Sequence, residues 1–273
     1  MRDQYYKNNK LHQQDISRSL VLTNEVVRWQ GRLDYWINLF LDKPIHKLHP
    51  SVHIILRIGF FEALMDEFVP QHAAVHSWVE FTKKELGKKF SGLVNALLRK
   101  TNNIDPNQKD KKQSLSAWYS YPAWIIDKWI HQFGEDKTIE LCEYLNMPSH
   151  IDLRLNCMTE SKNTILSQLD KLDIETIQSP ESDCFIRVDS GLRNAIKSEL
   201  FTKGLIHVQD RASGAVVELL DPQPGDIVLD VCAAPGTKSG YIVEKIKNEG
   251  KIFASDASQV RMLTGEKRSN ELK

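Results

Sequence analysis

Ile227-Val228-Leu229-Asp230-Val231 is a continuous apolar run with one acid near its end, the pattern of a parallel strand buried on both faces. The run passes through Cys232-Ala233-Ala234-Pro235-Gly236-Thr237-Lys238 into a helix, and a second strand, Lys251 to Ser255, ends at Asp256. Such a β-loop-α-β unit with an acid after its second strand confines this part of the chain to an α/β arrangement. A turn of small residues lets a ligand approach the backbone, and amide groups at the following helix N-terminus bind its anionic part. Asp256, about 20 residues past Gly236, is placed to accept hydrogen bonds from both hydroxyls of a ribose. The unit therefore suits a nucleoside cofactor. A dinucleotide is disfavoured because the loop lacks G-x-G-x-x-G, and Lys238-Ser239 after a single glycine lacks the spacing of a phosphate-binding loop.

Upstream, from Ser17 to about Thr101, the apolar residues follow a helical period, clearest at Val52, Ile55, Leu56, Phe60, Ala63 and Leu64 after Pro50-Ser51. Pro70 starts a further helix through Ala74, Val75, Trp78, Val79 and Phe81 to Gly87, and another carries Phe90, Leu93, Val94, Leu97 and Leu98. About five helices make an all-α bundle over 1–103. Residues 104–146 read as a linker and a helix. The polar stretch from Asn102 to Ser116 is expected to be exposed, and the helix after Pro122 puts Ile126, Trp129, Ile130 and Phe133 on one face and ends at Gly134. Over 147–208 strand-like and helix-like patterns alternate, which predicts a small α+β domain. Ile151, Leu153 and Leu155 recur at period two, Ser161 precedes a helix with Ile165, Leu166 and Leu169, and Phe185 to Val188 is a strand. Leu192, Ile196 and Leu200 mark a short helix, Gly204 to Val208 is extended, and Ser179-Pro180-Glu181-Ser182 forms a turn. Arg154 is the polar residue of this region to watch. Residues 209–273 open with an apolar helix, Ala215, Val216, Val217, Leu219 and Leu220, stopped at Asp221-Pro222.

Composition narrows the function classes. Lys+Arg and Asp+Glu are both 36, so no global field draws the chain toward nucleic acid, and any affinity for RNA is local. From Lys83 to Lys112 nine basic residues (83, 84, 88, 89, 99, 100, 109, 111 and 112) face three acids, Glu85, Asp105 and Asp110; this is either an RNA-facing patch or solvated surface. Cys142, Cys157, Cys184 and Cys232 are far apart and form no C-x-x-C pair, against a metal site or a disulfide framework and in favour of the cytoplasm. His72 and His76 lie four apart, but H-A-A-V-H lacks the glutamate of a metalloprotease, so they read as ordinary bundle histidines. Met1 to Lys10 is polar and no apolar run approaches the roughly 18 residues of a membrane span, so neither targeting nor a membrane is expected. Trp29, Trp36, Trp78, Trp124 and Trp129 fall in helical patterns and are expected to pack in or near the core.

Two linked motifs carry a resemblance. Val208-Gln209-Asp210-Arg211-Ala212-Ser213, followed by Val228-Leu229-Asp230-Val231-Cys232-Ala233-Ala234-Pro235-Gly236-Thr237-Lys238, resembles the QD-x-x-S and VLD-x-CAAPGGK signatures of RNA 5-methylcytosine methyltransferases. Arg57 to Pro70 and Leu93 to Arg99 resemble the NusB-type helical domain of the bacterial Sun (RsmB) type, and Asn146-Met147-Pro148 with Leu153-Arg154-Leu155-Asn156 is similar to the family's connection into its α+β domain. The resemblance implies a multi-domain chain: an all-α NusB-like bundle, a small α+β domain, then the incomplete start of a Rossmann-like α/β methyltransferase domain. It implies S-adenosyl-L-methionine (SAM) as cofactor and ribosomal RNA as partner. Cys232, Ala233, Ala234, Pro235, Gly236, Thr237 and Lys238 would line the methionyl moiety, and Asp256 would hold the ribose. Thr237 replaces the family's second glycine, which a β-branched residue tolerates only at negative φ.

Methylating cytosine C5 requires a thiolate to attack C6. The family carries it in D-A-P-C-S and (T/Y)-C-S motifs that this sequence lacks, so the nucleophile is expected beyond Lys273 and the chain is expected not to transfer methyl groups. Cys232 would belong to the cofactor loop instead. The first α/β strand has one neighbour at most, so residues 221–273 are expected to be the least stable part. The alternative reading is a NusB-like RNA-binding adaptor with a vestigial SAM-binding loop.

Overall fold

The computed structural model describes residue 6 and residues 11–178 and 182–262. It divides into two compact units, Met1–Met147 and Pro148–Lys273.

The first unit is helical. Helices α1 (Gln13–Arg28), α2 (Gln30–Asn38), α3 (Pro50–Leu64), α4 (Gln71–Leu86) and α5 (Lys88–Leu98) form the expected bundle. Local chemistry sets their limits: Pro50 occupies the first position of α3, Pro70 precedes α4, and Gly87 at φ 90° ends α4 and admits α5. Leu33, Trp36, Ile37, Val52, Leu56, Phe60, Val94 and Leu98 fill the core. Polar clamps fix how the helices pack. Arg57 reaches both oxygens of Asp34 at 2.7 and 2.5 Å, and Glu62 accepts from Arg18 at 2.7 Å and from the Trp78 indole at 2.6 Å. Arg32 lies over the rings of Trp29 and Trp118, 4.4 and 3.6 Å from their centres, and burial lowers its pKa to about 10.

Between 104 and 146 the sequence suggests one helix, and the structure holds three: α6 (Leu115–Tyr119), α7 (Ala123–Phe133) and α8 (Glu135–Asn146), packed around Tyr119, Ile126 and Cys142. Gly134, at φ 84°, ends α7 as expected, but it is also the joint from which α8 starts, with Glu135 and Asp136 favouring the new N-terminus. Trp124 is 67% exposed, contrary to the packed position expected of it, because it opens α7 on the side away from Ile126. All six tryptophans lie in this first unit.

In the second unit β1 (Ile151–Leu155), β2 (Thr176–Gln178), β3 (Phe185–Val188) and β4 (Ile206–Val208) make an antiparallel sheet in the order β2-β3-β1-β4. Leu153, Leu155, Ile186 and Ile206 pack with Ile165 and Leu169 of α9 (Lys162–Asp170), Ala195 of α10 (Leu192–Lys197) and Leu200 of α11 (Glu199–Thr202). The single helix expected from Leu192 to Leu200 is broken at Ser198, whose hydroxyl accepts from the Phe201 amide and caps α11; this turns Ile196 outward. Of the expected turn at 179–182, residues 179–181 lie outside the described residues. On the opposite face of the sheet Phe185 packs with Val217 of α12 (Arg211–Leu220) and with Tyr241 and Ile242 of α13 (Thr237–Lys245). Gly214 permits this approach, since a Cβ there would stand 2.2 Å from the Phe185 ring.

β5 (Ile227–Asp230) and β6 (Lys251–Ala254) pair in parallel, Ile227 opposite Lys251 and Asp230 opposite Ala254. The sequence predicts a strand buried on both faces; among the described residues only one face is covered. Val228 and Ile252 pack toward α13, whereas Ile227, Leu229 and Phe253 are more than half exposed. Among the described residues no helix is long and apolar enough to cross a membrane.

Candidate cofactor site

The loop between β5 and α13 is held from three sides. At its entry Asp230 accepts from the Cys232 amide at 3.2 Å and from the Ser239 hydroxyl at 2.7 Å, which joins the end of β5 to the first turn of α13. On the β6 side the Ala233 amide donates to the Ser255 carbonyl at 3.0 Å, and the Ala234 amide donates to Asp256 Oδ2 at 3.1 Å. The third tie comes from Arg261, which donates to the Ala234 carbonyl at 2.9 Å. No motif or periodicity marks this arginine in the sequence.

Gly236 adopts φ 98°, where an L side chain is strained, and a Cβ there would meet nothing within 4 Å, so the space over the loop is open. Thr237 begins α13 and has no positive φ, which meets the condition its β-branch imposes. Among the described residues no side chain caps this helix, leaving its first-turn N–H groups for an anionic group. Asp256 also accepts from the Ser258 amide at 2.9 Å. That bond, the one from Ala234 and the nearby Arg261 charge together hold its carboxyl below the usual range, so it is ionised at neutral pH. The structure thus brings Cys232, Ala233, Ala234, Pro235, Gly236, Thr237, Lys238 and Asp256 to one corner. Cys232 is exposed, Ala233 and Ala234 are buried beneath the loop, and Thr237 and Lys238 lie at the helix start. An open small-residue turn, an uncapped helix and an ionised acid across from it fit a nucleoside that carries an anionic tail.

Three family models match successive parts of the chain: NusB family over residues 1–103, a ferredoxin-like domain of RsmF/B-like methyltransferases over 121–194, and 16S rRNA methyltransferase RsmB/F over 217–272. The probable ribosomal RNA small subunit methyltransferase B of Synechocystis is 32% identical over 85% of this chain and 53% of its own length. The Bacillus subtilis protein of the same name is 28% identical over 92% of this chain and 56% of its own length. The chain belongs to the RsmB/Sun-type rRNA methyltransferase family. It spans about half the length of the curated relatives it matches. The crystal structure of PH0851 shares the fold, with a TM-score of 0.73 at 24% identity over 99% of this chain and 61% of that one.

The linked motifs of this RsmB/Sun-type chain have separate physical roles. Asp210 accepts from the amides of Ala212 and Ser213, capping α12, and Gln209 accepts from the buried Arg154. Asp152, also buried, accepts from Arg211 at 3.1 Å and lies 3.7 Å from Arg187. Period-two reading of β1 puts Asp152 and Arg154 on an outer face; α12 and α13 cover that face, so both residues are buried and paired. Among the thiols, burial pushes those of Cys142, Cys157 and Cys184 up, the direction opposite to that of an attacking thiolate.

Proposed function

We propose that this chain is the RNA-docking and SAM-binding portion of a cytoplasmic enzyme that transfers a methyl group from SAM to C5 of a cytosine in small-subunit ribosomal RNA. The observation that carries the reading is the corner formed by Gly236, the uncapped α13 and Asp256. Cys232 to Lys238 hold the methionyl part there, with its carboxylate on the first-turn amides of α13, and Asp256 accepts from the ribose hydroxyls. SAM, when bound, supplies an electrophilic methyl group; the residues of this corner bind and orient it. None of the four thiols is the nucleophile in this reading, because three are pushed toward the neutral form and Cys232 lies in the binding loop.

Calorimetry on the full chain tests the cofactor assignment. SAM is expected to bind and NAD not to, and Asp256→Ala is expected to weaken SAM roughly 100-fold through lost charge-assisted hydrogen bonds and a loosened loop. Because the Asp256 carboxyl is depressed, its contribution is complete at neutral pH and lost only as pH falls through that lowered value. NAD binding would overturn the assignment, and a folded chain that binds neither would favour the adaptor reading.

Ribosomal RNA docks, in this proposal, on the basic stretch from Lys83 to Lys112, all nine of whose cations are exposed. Lys88 and Lys89 occupy the first two positions of α5, where the helix dipole disfavours cations, so helix stability does not account for them. Replacing Lys83, Lys84, Lys88 and Lys89 with glutamine is expected to weaken RNA binding and to flatten its salt dependence by about 0.7–0.9 in log-log slope for each phosphate no longer neutralised. Unchanged binding would make the stretch plain solvated surface.

A further inference from the structure

Arg154 is fully buried in the middle of a strand whose neighbours Leu153 and Leu155 belong to a hydrophobic core. Across the sheet it stands opposite Phe185 and His207. Its side chain leaves the sheet for α13: Nη1 donates to Glu244, the guanidinium lies 4.7 Å from the centre of the Tyr241 ring, and a Cβ on Gly240 would sit 4.0 Å from Nη2. Nε meanwhile donates to Gln209 Oε1 at 2.8 Å, and His207 Nε2 stands 3.7 Å from the second Glu244 oxygen. Gly240, Tyr241 and Glu244 follow the cofactor loop on the same short helix, which Ser239 also ties to Asp230 in its first turn and Tyr241 and Lys245 tie to Glu218 of α12.

We infer that Arg154 is a positioning residue for the cofactor loop: by gripping α13 through Glu244 and Tyr241 it fixes the register and roll of that helix, and so the aim of the amides after Gly236. Its ties to Glu218 fasten α13 to α12 rather than to the sheet, and its apolar contacts, through Tyr241, Ile242 and Ile246, are non-directional and tolerate sliding. A planar guanidinium with separate partners on Gln209 and Glu244 does not, since each N–H points along a set direction. Burial pushes the Glu244 carboxyl up, and the Arg154 charge and hydrogen bond offset part of that, so either partner left alone would be a costly buried charge. A helix is stiff along its axis, so a shift at Glu244 is carried to Thr237. The inference rests on the cofactor reading of the loop for its purpose, but the grip itself is measurable without a ligand.

Two variants of the full chain, Arg154→Lys and Glu244→Gln, test it with two readouts. Arg154→Lys keeps the charge and loses the fork; Glu244→Gln keeps an acceptor and the helix. Each is expected to weaken SAM about 10-fold by calorimetry and to speed amide hydrogen exchange at Gly240 and Tyr241 about 10-fold, while the amides of Leu153, Ile165 and Leu169 keep their protection. If the unsubstituted chain binds no SAM, the cofactor reading fails and exchange alone decides the positioning role. Wild-type exchange at Gly240 and Tyr241 in a folded variant overturns the inference, as does loss of protection across the whole sheet in both variants, which would make the arginine a general support of the fold.

Discussion

Replacing Phe60 with alanine is expected to destabilise residues 1–147 by about 3–5 kcal/mol, a large share of the roughly 5–15 kcal/mol that holds a folded unit together. Phe60 has no exposed surface and lies in α3 among Leu56, Val94 and Leu98. The site cannot collapse readily, because the neighbouring groups are pinned: Arg57 on the same helix is forked onto Asp34, and Glu62 is held by Arg18 and Trp78. The cavity would therefore persist and add its cost to the lost transfer energy. Urea unfolding followed by tryptophan fluorescence is a clean measurement, since every indole lies in this unit. A loss under about 1 kcal/mol would mean that the bundle repacks around the gap.

The second large effect belongs to the other unit. Gly214→Val places a branched side chain where even a Cβ would stand 2.2 Å from Phe185 Cζ and 2.5 Å from Cε2. Phe185 has little room to yield, being 1% exposed and set edge-on against Tyr241 at 5.9 Å. Helix α12 must lift from the sheet instead, at a cost of about 3 kcal/mol, the upper end of the usual range for overpacking. This loss should appear in the far-UV circular dichroism of urea unfolding and leave the tryptophan transition unmoved. A variant whose two signals both match the parent would show that α12 does not pack there.

The sequence was most readable where one residue has one physical consequence. Pro50, Pro70, Gly87 and Ser161 begin or end helices because of ring geometry, positive φ or a side-chain cap, and those effects are local. The β5-loop-α13-β6 unit was legible for the same reason, since its small residues and its terminal acid lie within one short stretch. What escaped depends on partners distant in sequence. Gly134 reads as a stop until α8 is seen to start from it. The burial of Arg154 and Asp152 escaped because a period-two pattern cannot reveal that α12 and α13 lie across the sheet's second face. The exposure of Ile227 and Leu229 escaped as well: an apolar run states a capacity for burial, and cover must come from elsewhere. Arg261 carries no pattern of its own; it matters through one carbonyl, that of Ala234.

Gly236 and Thr237 are neighbours under different rules. The first adopts a backbone conformation that a side chain strains, whereas the second sits at the start of a helix where nothing in the backbone requires glycine. A side chain is therefore admissible at the second position and strained at the first. The threonine here thus strains no backbone angle, and it adds a hydroxyl at the start of the helix.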